Sequence, residues 1–144
     1  MNIYFKKILL AVDDSPIAEK AAGKALELAR QLNAELAVAS VADTKFLMTE
    51  GGIAPAEVIK SIKNDLKKVH ELLINKVFKD FKVWTFIEEG HPHETILKIG
   101  KEWNADLLIV GTHGRTGLEH LLLGSVAEQV IRHSDKPVLV IPAR

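Results

Sequence analysis

The sequence predicts an α/β fold, an open parallel sheet of five strands with helices on both faces. Two observations lead there. Short apolar runs without polar alternation, such as Leu107-Leu108-Ile109-Val110, read as strands buried on both faces. Longer segments with apolar residues at helical spacing separate them, so that strands and helices alternate through the chain, and right-handed crossovers assemble such a chain into one parallel sheet.

Taken in order, Lys7 to Val12 is apolar enough for a central strand, and Asp13-Asp14-Ser15-Pro16 stops it. Ser15 as N-cap with Pro16 at the first helical position begins a helix that buries Ile17, Ala21, Ala25, Leu28, Ala29 and Leu32. Asn33-Ala34 turns the chain into a second strand, Leu36 to Val41. From Ala42 to Ala54 the pattern lapses into a loop holding Gly51-Gly52 and the apolar residues Phe46, Leu47, Met48 and Ile53. These residues either tuck onto the domain's own surface or form a lid or partner contact. Pro55 begins a long helix with one apolar stripe, Val58, Ile62, Leu66, Val69, Leu73 and Val77, opposite a solvated lysine-rich face. Val83 to Glu88 is the third strand, ended by Gly90-His91-Pro92, and His93 to Trp103 is a helix burying Ile96, Ile99 and Trp103. After the fourth strand, a last helix carries Val126, Ala127, Val130 and Ile131 to about His133, and the fifth strand is Val138-Leu139-Val140-Ile141.

Size and composition narrow the function classes. The 144 residues make one domain, and a formal net charge of zero gives no general pull toward nucleic acid or anionic lipid. The lack of cysteine excludes disulfides and thiolate metal sites and fits a reducing cytoplasm. The charges of Met1-Asn2-Ile3-Tyr4-Phe5-Lys6-Lys7 follow its apolar residues, the reverse of a signal peptide. No apolar run approaches the ~18 residues of a membrane span.

The chemistry concentrates between Leu107 and Val126. A buried strand runs into a glycine-rich loop, Gly111-x2-Gly114-x9-Gly124-Ser125, and Ser125 is well placed as N-cap of the helix that follows. Strand, glycine loop and helix start form a phosphate cradle, because glycine lets amides approach an anion and a helix start adds unpaired N–H donors. The spacing is neither a Walker A loop nor Gly-x-Gly-x-x-Gly.

It closely resembles the ATP-binding signature of the universal stress protein family. Ile8-Leu9-Leu10-Ala11-Val12-Asp13-Asp14-Ser15 is similar to that family's opening strand and Asp-x-Ser turn, and Pro137 to Pro142 to its closing strand, so the likeness covers nearly all of residues 1–144. The resemblance implies strand order 3-2-1-4-5, with the order reversing between strands one and four, where Asp13 and Gly111 stand. It implies that Gly111, Gly114, Gly124, Ser125 and Val126 hold phosphates and ribose. It implies that Asp13, in the turn with Val12 and Ser15, lies near the ribose and metal, where its carboxylate either accepts a ribose hydroxyl or holds Mg²⁺ through water, and that Ala11 and Val41 line the adenine. Arg115 either reaches a terminal phosphate or is a solvated loop charge.

The ligand implied is ATP or AMP with Mg²⁺. The last strand is a bare apolar edge, and the resemblance implies that two chains pair there as a homodimer through Val138, Leu139, Val140 and Ile141. His91, His93, His113 and His120 read as non-catalytic. With no Walker lysine, evident catalytic base or water-orienting residue, the site looks built for binding. The expected role is a regulatory module with a protein partner the sequence does not identify. The alternatives are a dimeric scaffold that binds no nucleotide and a slow ATPase.

Overall fold

The computed structural model describes residues 4–44, 56–112 and 123–143. Its strands are β1 (Lys7–Ala11), β2 (Glu35–Asp43), β3 (Val83–Gly90), β4 (Leu107–Gly111) and β5 (Val138–Ile141). Its helices are α1 (Ile17–Leu32), α2 (Ala56–Leu73), α3 (Pro92–Trp103) and α4 (Ser125–His133). All strand pairs are parallel, in the order β3-β2-β1-β4-β5.

Two cores flank the sheet. On one face Ile8, Leu10, Leu36, Val38 and Ile109 pack with residues of α1 and the end of α2. On the other, Leu9, Ala37, Ala39, Leu108 and Val110 pack with α3 and α4. Successive residues of β1 therefore enter opposite cores, which is why its sequence shows no alternation. At the amino ends of the strands the Asp106 carboxylate accepts the backbone amides of Lys6 and Lys7, both at 2.9 Å, and ties β1 to β4.

The elements stand where expected, but several details differ. In α1 the buried face is Ala18, Ala21, Ala22, Ala25, Leu26 and Ala29, while Leu32 is exposed and Ile17 and Leu28 are half-buried. A face lined by alanine lets the helix lie close to the sheet, so a wider arc is covered than the large apolar residues alone mark. The helix starts at Ile17 with Pro16 at its cap, and Ser15 makes no capping bond. The turn is closed instead by Asp13, whose Oδ1 accepts the Ser15 amide at 2.9 Å. Ser125 is likewise not a cap: Gly124 occupies that position in extended conformation, and Ser125 is the first helical residue.

β2 and β3 run two residues further than expected, because they pair with each other as far as Asp43↔Gly90. Ala42 and Asp43 thus belong to a strand, and of the expected loop residues 45–54 lie outside the described residues. Gly90 has φ +146°, and a Cβ there would meet Thr95 Oγ1 at 2.5 Å, so the start of α3 sits against bare backbone.

The stripe of α2 also changes character. Leu66, His70 and Leu73 are buried, Val58 is exposed, and the helix continues as a π-helical turn, Ile74–Phe78. The wider turn brings Phe78, five residues after Leu73, into the same core, and both are fully buried. The turn ends at Lys79, whose amide bonds Ile74 O at 2.7 Å and whose φ of 53° with ψ of −113° suits glycine.

Replacing Lys79 with glycine should therefore stabilise the fold by about 1 kcal/mol, strain relieved outweighing chain entropy gained by the unfolded state. Urea unfolding reads this directly, and an unchanged or lower midpoint would refute it.

Candidate functional site

β1 and β4 are neighbours in the sheet, yet the chain leaves β1 for the helix on one face and leaves β4 for the helix on the other. Such a reversal opens a crevice at the carboxyl ends of the two strands. The ladder of β1 ends there, at Ala11↔Ala39 on one side and Leu10↔Ile109 on the other.

The chain beyond the ladder is still held. The Val12 amide donates to Ala39 O at 2.9 Å, and the Ser40 hydroxyl donates to Val12 O at 2.6 Å. Asp13 follows, half-buried, one carboxylate oxygen taken by the Ser15 amide. The Ser15 side chain is buried, and among the described residues its hydroxyl has no hydrogen-bond partner. A buried hydroxyl left unpaired is costly, which makes it a natural donor to a bound polar group.

On the β4 side, Gly111 lies against the start of α1: a Cβ would stand 3.2 Å from Ile17 Cδ1 and Cγ2. The Thr112 amide bonds Ile141 O at 2.9 Å, and the Gly124 amide donates to Thr112 O. That last bond sets the first turn of α4 against the end of β4. The first intrahelical bond runs from the Glu128 amide to Gly124 O at 3.0 Å, so the amides of Ser125 and Val126 precede the helical ladder.

Asp13, Gly111 and the Gly124-Ser125-Val126 start thus share one end of the sheet. Ala11 and Val41, the residues expected to line the adenine, pack half-buried against the core beneath α3 and α4, and Val126 packs half-buried against the same core. Gly114 and Arg115 lie outside the described residues, as do His113 and His120. Among the described residues no group of three or more His, Asp or Glu side chains is arranged to hold a metal ion, and no helix is long and apolar enough to cross a membrane.

One pair of polar residues behind the crevice escaped the sequence reading. His70 on α2 is 3% exposed, and its Nε2 lies 2.8 Å from Ser40 Oγ. Since the Ser40 proton goes to Val12 O, the ring must donate through Nε2, which leaves Nδ1 as a buried acceptor without a partner among the described residues. Burial lowers the His70 pKa from 6.5 to about 4, because the charged ring loses its hydration. Signals were present: His70 stands four residues after Leu66 and three before Leu73 on the buried stripe, and Ser40 interrupts an apolar run.

The geometry can be set beside known proteins. The family model described as the universal stress protein family matches residues 4–142. The chain belongs to the universal stress protein family. Two relatives from Methanocaldococcus jannaschii are the universal stress proteins MJ0577, 37% identical over 98% of this chain and 97% of its own length, and MJ0531, 35% identical over 97% and 83%. The solved structure of MJ0577 superposes with a TM-score of 0.74 at 33% identity over 99% of both chains. UspA from Lactobacillus plantarum superposes at 0.85, with 26% identity over 97% of this chain and 99% of that one. Two further universal stress protein structures share the fold at lower identity. One was solved in complex with cAMP (22%, TM-score 0.66, 98% and 99% covered). The other, from Archaeoglobus fulgidus, was solved in complex with dAMP (21%, 0.67, 97% and 99%).

The buried His70 sets a pH dependence. Between pH 6.5 and about 4 the unfolded chain protonates this ring and the folded chain does not, so stability falls as pH falls across that window. The full effect is roughly 3 kcal/mol. Urea unfolding of the native chain and of His70→Gln from neutral to acid pH should show a steeper fall for the native chain; equal slopes would refute it.

Proposed function

We propose that this universal stress protein is a homodimeric regulatory module that binds an adenine nucleotide, ATP or AMP with Mg²⁺, in the crevice between β1 and β4. The observation that carries the reading is the convergence of the Asp13 turn with the first turn of α4 where the strand order reverses. Family members crystallised with cAMP and dAMP support it.

The proposed roles follow from chemistry. The amides of Ser125 and Val126, at the positive end of α4, would take phosphate oxygens, with Gly111, Gly114, Gly124 and Arg115 around them. The second carboxylate oxygen of Asp13 would accept a ribose hydroxyl or hold Mg²⁺ through water, and the Ser15 hydroxyl would find its partner there. Ala11 and Val41 would wall the base, while Val12 packs against the opposite core and its backbone leads into the Asp13 turn. Donors and apolar walls make a binding site, so the proposed role is binding rather than turnover. Absent cysteine fits a cytoplasmic location.

β5 is an edge of the sheet, and Leu139 is 40% exposed on it. We propose that a second copy pairs along Val138–Ile141. Val138 and Val140 are already packed into the core beneath α3 and α4, so Leu139 is the residue to charge.

Mg-ATP at ~100 times its dissociation constant would add about 2.7 kcal/mol, raising the unfolding temperature on the order of 10 °C. Asp13→Ala should shrink the rise, and GTP should produce little. No rise with ATP or AMP, after bound nucleotide is stripped, would move the reading to a dimeric scaffold. Light scattering at micromolar concentration should report a dimer that Leu139→Lys shifts toward monomer; a monomeric native chain defeats the pairing.

A further inference from the structure

The polar chain from His70 to Val12 ends at the peptide group that enters the candidate crevice. Val12 O belongs to the peptide whose N–H is that of Asp13. A peptide unit is planar and trans, so its C=O and N–H point in opposite directions. Ser40, on β2, holds the carbonyl at 2.6 Å. The Asp13 N–H is thereby turned away from β2, and because β1 lies between β2 and β4, it is turned to the β4 side.

This hold is needed at this place. The ladder between β1 and β2 ends at Ala11↔Ala39, so Val12 O lies where the regular pairing stops. A hydroxyl can rotate, and a serine here has other directions to point. His70 removes that freedom. Its Nε2–H occupies the hydroxyl oxygen at 2.8 Å, and the serine proton is left to Val12. The imidazole is buried on the α2 face that also buries Leu66 and Leu73, and among the described residues its other nitrogen has no partner. An unpaired buried acceptor is a cost that packing alone does not explain, since an apolar residue would fill the space without it.

We propose that His70 and Ser40 are positioning residues for the crevice: they lock the Val12–Asp13 peptide so that the Asp13 amide and carboxylate are presented together to the nucleotide. The inference rests on the nucleotide reading above and deepens it by naming residues that touch no ligand. It also makes α2 a participant in the site, through one hydrogen-bonded chain across β2.

The test uses two readouts on the full chain. His70→Leu and Ser40→Ala remove links of the chain, while His70→Gln and Ser40→Thr each keep a donor or hydroxyl. Calorimetric titration with Mg-ATP should show about tenfold weaker binding for each of the first pair. The double variant should be no weaker than the worse single, because both break one chain. The conservative pair should stay within about threefold of native. Amide exchange of ligand-free protein should speed up at Val12 to Ser15 in the first pair only. Folded variants with unchanged affinity overturn the proposal. If the native chain binds no adenine nucleotide, the nucleotide reading falls, and exchange alone then decides the positioning role, unchanged exchange overturning it. A ¹⁵N spectrum of native His70 needs no variant: a neutral Nε2–H tautomer supports the chain, and an Nδ1–H tautomer or a charged ring overturns it.

Discussion

Everything in the molecule hangs on the double pairing of β1. This strand bonds to β2 on one edge and β4 on the other, while Ile8, Leu9 and Leu10 are sealed between two layers of helix. A backbone that satisfied cannot move without breaking both ladders and both cores. Its end is therefore the most rigid place from which to hang a turn, and the polar groups of Val12, Asp13 and Ser15 emerge there. Rigidity upstream makes a short turn a credible ligand-binding element.

The helical layers enforce the same geometry from outside. The α1 face is lined with alanine, and Gly111 leaves just enough space for Ile17. The first helix thus presses close to the end of β4 as well as to β1. On the other side, the Gly124 amide on Thr112 O returns the chain to the sheet as α4 begins. The two walls of the crevice belong to one packed body.

Much of this was legible in the residues. Strong apolar runs and helical spacing identified the strands and α-helices of the described residues, and the implied strand order stands, with Asp13 and Gly111 where it reverses. The misreadings have physical causes. Cap assignments for Ser15 and Ser125 followed local preference, yet at one end an Asp side chain closed the turn and at the other a glycine took the cap. Ala21, Ala25 and Ala29 of the expected α1 stripe are buried, but Leu32 is exposed, and Ala18, Ala22 and Leu26 join the buried face because alanine permits close approach over a wider arc. The π turn was illegible because the rule of three and four does not anticipate a spacing of five. The contact of His70 with Ser40 joins residues thirty apart in sequence, and no local pattern predicts a partner that only the crossover brings near.

The bond from the Gly124 amide to Thr112 O has a consequence for how the sheet edge and the crevice influence one another. Thr112 takes the Gly124 amide on its carbonyl and gives its own amide to Ile141 O, so one residue is tied both to the first turn of α4 and to the end of β5. A displacement of the edge strand therefore reaches the helix start through two hydrogen bonds and a single residue. Edge and rim form one lever, and whatever loads one end is felt at the other.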